Sequence, residues 1–360
     1  MNPPRIRRAQ PGDIVTIDLQ LTPQDGFVPE PLFDAQGIIT FVLGAGNYLP
    51  AIHELVKGCV KGDVVSDMTI DAGWGGRRKE WVVTVPRSQL PADLVAGETT
   101  LRLKGGWQVL VIEVHEDTVV LDANPPLAGS SYRCDFTVLA VEPGLVTMDA
   151  TAEQSSCYIQ TRQQPPQAQT LQSSEKYQMA SFALGCFWGA ELAFMRVPGV
   201  VGTRVGYSQG RTQHPTHEEV SAGRTRHREA VLVIYDATIV SYQQLVQVAT
   251  QRWREWQHPM AAASQNVDDD EAVDDDYGDA LTDLFREDGV DHLQYQSGIY
   301  YHNEEQREIA QAWLTENPRL RFELKAATIF YEAEENHQQY LYKGGQSARK
   351  NAKEKIRCFG

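Results

Sequence analysis

The sequence has little of what marks membrane, nucleic-acid-binding or disulfide-bonded proteins. None of its apolar runs approaches the roughly eighteen residues that a membrane helix needs. Basic residues are outnumbered, with 33 Lys and Arg against 48 Asp and Glu, and the net charge of -15 disfavours contact with nucleic-acid phosphates. We therefore expect an acidic globular protein with neither a membrane nor a nucleic acid as partner, and its 360 residues suffice for two or three domains.

Cysteine is scarce, scattered and odd in number. No Cys-x-x-Cys pair is present, which disfavours a disulfide framework and a zinc site. The five cysteines are Cys59, Cys134, Cys157, Cys186 and Cys358. The basic segment from Met1 to Arg8 lacks the apolar stretch of a secretory signal. A cytoplasmic or other reducing compartment is expected, and import into an organelle stays open.

Cys186 is the cysteine placed best for chemistry. Residues 180–184 form a short apolar run that predicts a buried strand, and a helix-like spacing begins at Glu191. Cys186 is therefore expected where a strand turns into a helix, and the dipole of a helix N-terminus lowers the pKa of a thiol there. Phe187 and Trp188 would form an apolar wall beside it. An inert core cysteine is the alternative interpretation.

Two familiar cysteine chemistries are excluded by the neighbouring residues. A phosphatase loop requires an Arg shortly after the cysteine, and residues 189–194 contain none. A thioredoxin-like site requires a second cysteine at position 189, which is Gly.

The stretch from Gly185 to Glu191, GCFWGAE, resembles the signature of the A-type peptide methionine sulfoxide reductases, which reduce the S epimer. The likeness extends over residues 179–360. The further motifs, in family order, are Val205-Gly206-Tyr207, His214-Pro215-Thr216, Ala222 to Val231, Gln294 to Ser297 and His337 to Leu341. The resemblance implies methionine-S-sulfoxide in peptides and proteins as substrate, and neither a metal nor a cofactor.

The resemblance also implies catalytic roles. Cys186 would attack the sulfoxide sulfur, and Glu229 would protonate the departing oxygen with the assistance of Tyr295. Burial would raise the pKa of Glu229 and keep it protonated. Cys358 matches a resolving cysteine, which would convert the sulfenic acid on Cys186 into an intramolecular disulfide. Thioredoxin, or another dithiol, would then reduce this disulfide.

Four residues are implied to hold the substrate. Phe187 and Trp188 would enclose the S-methyl group. His217 replaces a family tyrosine. Its imidazole can still donate a hydrogen bond, and as imidazolium it would make activity depend on pH near neutrality. Asp291 resembles a ligand of the substrate amide, although it lies one residue closer to Tyr295 than in the family.

The first part of the chain predicts an antiparallel α+β domain, because many short strands surround one helix candidate, residues 51–57. The predicted strands are residues 13–22, 38–43, 64–70, 81–85, 99–103, 109–114, 119–121 and 136–141. Residues 1–147 form this domain. In residues 179–360, alternating strands and helices predict an α/β domain, which the resemblance specifies as an α+β plait. Its predicted strands are 182–184, 203–207, 230–235 and 324–331, and its helices 189–196, 242–253 and 303–312.

The N-terminal segment resembles the SlyD-like branch of the FKBP-type peptidyl-prolyl isomerases, with a flap insert at about 87–121. The motifs that carry this likeness include Phe41 to Gly46, Tyr48-Leu49-Pro50 and Asp122 to Gly129. The isomerase-cleft candidates are Asp34, Phe41, Tyr48, Leu49 and Trp74. Trp74 replaces a family tyrosine and Cys134 a cleft phenylalanine, so weak or absent isomerase activity is expected. Ordinary core packing is the alternative interpretation for Tyr48, Leu49 and Trp74.

Two further segments complete the predicted layout. Residues 148–178, which include Gln163-Gln164-Pro165-Pro166-Gln167, are expected to form a linker. Residues 266–289 form an acidic insertion, which lacks the Gly register and closing Glu of a calcium loop and is therefore expected to be a solvated loop.

Two functions fit these observations, while a third, a proline isomerase with an accessory redox domain, is disfavoured by Trp74 and Cys134. The first is a thioredoxin-dependent methionine sulfoxide reductase, favoured because Cys186, Glu229, Tyr295 and Cys358 occur together. The alternative is an FKBP-like chaperone or proline isomerase whose reductase domain is catalytically silent, which the histidine at position 217 supports.

Overall fold

The computed structural model describes residues 7–24, 32–45, 48–71, 76–92, 94–96, 100–102, 108–124, 127–145, 158–159, 176–263 and 293–357. Trp74, Asp291, Cys358 and the acidic insertion lie outside the described residues. Among the described helices, none is both long enough and apolar enough to cross a bilayer.

The N-terminal part is built on a four-stranded antiparallel sheet in the order β2-β1-β8-β3. These strands are β1 (Ile14–Pro23), β2 (Gln36–Val42), β3 (Val64–Asp71) and β8 (Ser131–Glu142). Helix α1 (Pro50–Val56) begins at a proline, whose fixed φ suits a first helical turn. The alternating burial of β1 and β8 directs one face of the sheet into a core with α1.

The predicted flap insert is a second small sheet, in the order β4-β7-β6-β5. Its strands are β4 (Val82–Pro86), β5 (Thr100–Arg102), β6 (Gln108–Val114) and β7 (Thr118–Asp122). Val109, Val111, Val119 and Leu121 form its own core. Because β4 pairs with β7, this unit begins at Val82, before the predicted start at residue 87.

The C-terminal part is built on a seven-stranded sheet in the order β14-β13-β10-β12-β11-β15-β9. Its strands are β9 (Tyr158–Ile159), β10 (Tyr177–Ala183), β11 (Val200–Ser208), β12 (Arg228–Asp236), β13 (Gly298–Tyr301), β14 (Glu323–Ala326) and β15 (Phe330–Glu332). Among the described strands, β13 and β14 pair in parallel and the other pairs are antiparallel. The sheet is therefore predominantly antiparallel. The alternation of strands and helices along the sequence could not predict this, because such alternation does not fix strand direction.

Helices cover one face of this sheet, and the N-terminal part covers much of the other. The helices are α2 (Phe187–Met195), α3 (His217–Ser221), α4 (Tyr242–Ala263), α5 (Glu304–Glu316) and α6 (Tyr340–Lys343). All nine residues of both β11 and β12 are buried. On the face toward the N-terminal part, Ile14 and Val42 join Val201 and Ile234 in one apolar cluster. Strands buried on both faces explain the continuous apolar runs in the sequence.

Two predicted segments differ from the structure. Within the predicted linker 148–178, Tyr158 and Ile159 form strand β9, which pairs with β15, and Tyr177 begins β10. Tyr and Ile favour strands, and the edge of β15 offers them partners. The predicted strand 324–331 is two strands, β14 and β15, which pair with different neighbours.

Candidate functional site

Cys186 lies at the N-cap of α2, between that helix and strand β10. Gly185, the preceding residue, has a φ of +80°. This conformation is energetically unfavourable for any residue with a Cβ atom. Cys186 itself has a φ of -55° and a ψ of 120°, so the helix begins at the next residue. Its residue surface is 7% exposed. The predicted strand-to-helix position is therefore confirmed, with the thiol partly screened from water.

Glu229 faces the same turn from the second residue of β12. Its Oε2 accepts a hydrogen bond of 3.1 Å from the backbone N–H of Phe187. The carboxyl group is almost fully buried, and this burial raises its pKa to about 8, against the smaller opposite effect of the Phe187 bond. Glu229 is thus mainly protonated at neutral pH, which a proton donor requires.

Arg228 anchors the beginning of β12, where Glu229 lies. Its guanidinium makes a two-pronged contact with Glu323 on β14, with N–O distances of 2.8 and 3.1 Å. Paired parallel bonds of this kind fix geometry as well as charge. The acid is therefore carried on a strand that is tied across the sheet.

His217 is the first residue of α3, and local capping sets its place. The side chain of Thr216 accepts from the backbone N–H of Glu219, while the Glu219 carboxylate accepts from the backbone N–H of Thr216. The Glu334 carboxylate accepts a hydrogen bond from the His217 backbone N–H at 2.9 Å and another from the Tyr207 hydroxyl at 3.0 Å. Glu334 thus links β11, α3 and the segment after β15.

An aromatic wall surrounds the turn, as predicted for Phe187 and Trp188, but it has more members. Ring centroids are 6.3 Å apart for Phe187 and His217, 4.3 Å for His217 and His337, and 5.7 Å for His337 and Trp188. Tyr340 stacks on Trp188 at 4.0 Å. His337 and Tyr340 were not predicted as site residues, although the motif that contains them, His337 to Leu341, was the signal that could have found them.

The histidines of this wall are neutral at physiological pH. Burial lowers the pKa of His217, and it lowers that of His337 to about 4. The Nε2 atom of His217 lies 3.9 Å from Oε1 of Glu229. Because the pKa of the carboxyl is raised and that of the imidazole lowered, this contact joins neutral groups near pH 7. Of the two forms of His217 considered from the sequence, burial favours the neutral imidazole, since it penalises the charged ring.

Glu191, on α2, is a second buried carboxyl that the sequence did not single out for a role. Its oxygens accept from the Gln339 backbone N–H at 2.6 Å and from the Thr203 hydroxyl at 3.3 Å. Burial raises its pKa to about 7. Gln338 bonds to both the N–H and the C=O of Val205. Together they hold the loop with His337 against α2 and β11.

Tyr295 ends a one-turn 3-10 helix, Leu293–Tyr295, which packs on β12, the strand that carries Glu229. The other two predicted members of the site, Asp291 and Cys358, lie outside the described residues. Within the described part of the chain, no group of three or more His, Cys, Asp and Glu side chains could hold a metal ion.

The described isomerase-cleft candidates are mainly core residues. Phe41, Tyr48 and Leu49 are at most 6% exposed, and the Tyr48 hydroxyl donates to the backbone oxygen of Asp34. A cavity of about 250 Å³ remains beside them, but the C-terminal segment closes one side of it. Its lining includes Phe33, Asp34, Phe41, Tyr48, Tyr342, Ala348 and Lys350. Leu49 is thus a core residue, whereas Tyr48 both packs in the core and lines the cavity. Trp74 lies outside the described residues.

The site at Cys186 brings together a thiol at a helix N-terminus, a protonated carboxyl and an apolar aromatic wall. A thiolate there can attack an electrophilic sulfur, and the carboxyl can give its proton to an oxygen leaving that sulfur. The rings of Phe187 and Trp188, with centroids 6.2 Å apart, give the wall its apolar character.

Comparison with known proteins agrees with this chemistry. The peptide methionine sulfoxide reductase family model matches residues 178–272 and 282–357. Peptide methionine sulfoxide reductase A2-1 of Oryza sativa subsp. japonica is 40% identical over 193 residues, covering 52% of this chain and 89% of that protein. The chloroplastic A4 reductase of Arabidopsis thaliana is 41% identical over 197 residues, covering 52% of this chain and 66% of its own length.

Among solved structures, methionine sulfoxide reductase A of Corynebacterium diphtheriae is 30% identical, with a TM-score of 0.32, covering 48% of this chain and 78% of that one. The rice relative, matched over most of its length at 40% identity, decides the assignment. This chain belongs to the peptide methionine sulfoxide reductase family.

Proposed function

We propose that this chain reduces methionine-S-sulfoxide in peptides and proteins, with Cys186 as nucleophile and Glu229 as acid. The observation that carries the proposal is the buried Glu229 carboxyl, bonded to the first residue of the helix that Cys186 caps. Burial raises the pKa of this carboxyl to about 8. Family membership supplies the reaction class, thiol-dependent reduction of a methionine sulfoxide. The family works without a prosthetic cofactor and depends on a thiol reductant.

The first step forms a bond between the Cys186 sulfur and the sulfoxide sulfur. The Glu229 proton neutralises the sulfoxide oxygen as that oxygen leaves the substrate. The bond between the two sulfurs then breaks as the protonated oxygen passes to the Cys186 sulfur. The products are methionine and a sulfenic acid on Cys186, so the cysteine is oxidised as the substrate is reduced. Phe187 and Trp188 enclose the S-methyl group, and Tyr295 assists at the oxygen.

The second step joins Cys186 to Cys358 in a disulfide and releases water. The dithiol of thioredoxin then reduces this disulfide and restores both thiols. Asp291 binds the amide of the substrate backbone in this proposal, and His217 contacts the substrate from the side of the wall opposite Trp188.

Reduction of a dabsylated methionine-S-sulfoxide with dithiothreitol tests the proposal. We expect turnover by the parent protein and none by Cys186→Ser. His115→Ser, a change to serine at an exposed residue of the N-terminal part, is the control and should keep the parent rate. Equal turnover by the parent and Cys186→Ser, or turnover by neither, would contradict the proposal. In the second case the alternative, a binding or chaperone protein with a silent reductase domain, would stand.

For residues 1–147 we propose an FKBP-like domain without appreciable isomerase activity. The replacements at positions 74 and 134 support this, as does the core packing of Tyr48 and Leu49. A proline-isomerisation assay on a Leu-Pro peptide tests it, and catalysis above the uncatalysed rate would contradict it.

A further inference from the structure

The C-terminal tail, defined as residues 340–357, lies between the two parts of the chain. Leu341 and Tyr342 are 1% exposed, in the same apolar core as Phe33 and Tyr48. The tail therefore fills space beside the cleft candidates of the N-terminal part. A segment buried on a neighbouring domain to this extent is docked by apolar contact.

Backbone hydrogen bonds fix the tail to the N-terminal part. The N–H of Ala348 donates to the carbonyl oxygen of Leu32 at 2.8 Å. Two residues on, the N–H of Lys350 reaches Oδ2 of Asp34 at 3.4 Å. The side chains of Ala348 and Ile356 pack against the same core.

The reductase part holds the other side of the tail, at the end of α2. The Arg196 guanidinium donates to the carbonyl oxygens of Ser347 and Glu354 at 2.8 and 2.6 Å. The buried ammonium group of Lys350 donates to the carbonyl oxygens of Met195 and Val200 at 2.7 and 2.8 Å. The tail is thus hydrogen-bonded to both the N-terminal part and the reductase part of the chain.

A short series of contacts links the tail to the aromatic wall. Tyr340, at its start, stacks on Trp188. Just after the short helix α6, the Gln346 N–H donates to the Leu341 carbonyl oxygen at 3.0 Å. The Gln346 amide then makes two bonds with the Arg357 backbone, donating to its O at 2.6 Å and accepting from its N–H at 2.9 Å. Arg357 directly precedes Cys358 in the sequence, and this pair of bonds holds the Arg357 backbone.

We propose that the N-terminal domain acts in cis as the docking platform for this tail, and that docking through Ala348 and Gln346 positions Cys358 for the disulfide step. The proposal rests on the proposed function, in which the Cys358 thiol displaces water from the Cys186 sulfenic acid. A long tail without contacts would spread its end over many positions, and docking raises the effective concentration of the thiol at the site. In this proposal the isomerase-cleft candidates of the N-terminal part bind the C-terminal tail of the same chain.

The test uses the full-length chain, one equivalent of a methionine-S-sulfoxide peptide and no added reductant. Rapid quenching gives the rate of methionine release and, by mass after alkylation, the rate of disulfide formation. Hydrogen exchange of residues 340–357 without peptide reports docking. Ala348→Asp places a charge against the apolar core beside Asp34, and Gln346→Leu removes both bonds to Arg357 without adding charge. Asn351→Asp, on the exposed side of the tail, is the control with an equal change of charge to Ala348→Asp.

We expect disulfide formation to slow about tenfold or more in Ala348→Asp and Gln346→Leu, with methionine release unchanged. The tail should exchange faster in Ala348→Asp and at parent rates in Asn351→Asp. Disulfide formation at the parent rate in a variant whose tail exchanges faster would overturn the proposal. So would unchanged exchange in Ala348→Asp, because the N-terminal domain would then not hold the tail. A parent protein that releases no methionine would contradict the proposed function and, with it, the role of docking in disulfide formation. Hydrogen exchange tests the docking itself independently of turnover.

Discussion

The backbone N–H of Phe187 donates to the carboxyl of Glu229 over 3.1 Å, and this bond ties the first turn of α2 to the beginning of β12. Cys186 precedes Phe187 by one residue, so this bond places the carboxyl beside the turn that carries the nucleophile. Because the donor is a backbone group, the position of the donor does not depend on a side-chain rotamer.

Gly185→Ala should destabilise the protein, because the φ of +80° at this turn disfavours any residue with a Cβ atom. We expect a loss of about 1 kcal/mol in the free energy of unfolding, measured by urea denaturation. Gly76→Ala is the matched control, since a Cβ atom there meets open space. Equal stability of the two variants would show that the turn before Cys186 has no conformational requirement for glycine.

Glu191→Ala and Glu191→Gln should differ sharply. Alanine leaves the buried N–H of Gln339 without its acceptor, which costs about 1 to 3 kcal/mol, whereas glutamine retains an acceptor oxygen. The folded-state pKa of about 7 exceeds the ordinary 4.5, so the folded protein binds this proton more tightly than the unfolded chain. The contribution to stability is complete below pH 4.5 and is lost as pH rises through 7.

The glutamine of Glu191→Gln does not titrate, so this variant does not lose stability in that way. Its free energy of unfolding relative to the parent should therefore improve from pH 5 to pH 8. Urea denaturation across that range measures the difference. A constant difference between the two proteins would mean that Glu191 is ionised in the fold throughout the range.

His217 should titrate below its ordinary pKa, because burial outweighs the attraction of Glu334. In an NMR titration its ring signals should therefore remain those of neutral imidazole at pH 7. His217→Tyr, which restores the residue type of the family, should keep methionine release within a few-fold of the parent. A midpoint above 6.5 for His217 would contradict the assignment of a neutral ring.

Much of the arrangement could be predicted from local sequence. Alternating apolar residues identified β1, and the strand-glycine-cysteine-helix order located Cys186 at a helix N-terminus. Both features depend on neighbours along the chain. The family motif paired Glu229 with Cys186, and the structure shows why, since β12 delivers the carboxyl to the turn.

Other features depend on contacts between distant segments and could not be predicted. Strand β9 forms because β15 leaves an edge beside it, and nothing near Tyr158 encodes that edge. The wall includes His337 and Tyr340 because Glu191 and Gln338 bind their loop, a fact of tertiary packing. The neutral state of His217 likewise follows from burial, which residue type alone does not give.

The most direct test of the central claim is single-turnover methionine release by the parent and by Glu229→Gln between pH 6 and pH 10. Since burial raises the pKa of Glu229 to about 8, the acid form is populated below that pH and lost above it. The account predicts that the parent rate falls as pH rises through about 8, and that Glu229→Gln is slower by about 10²–10⁴-fold without that decline. A Glu229→Gln protein that releases methionine at the parent rate would contradict the account.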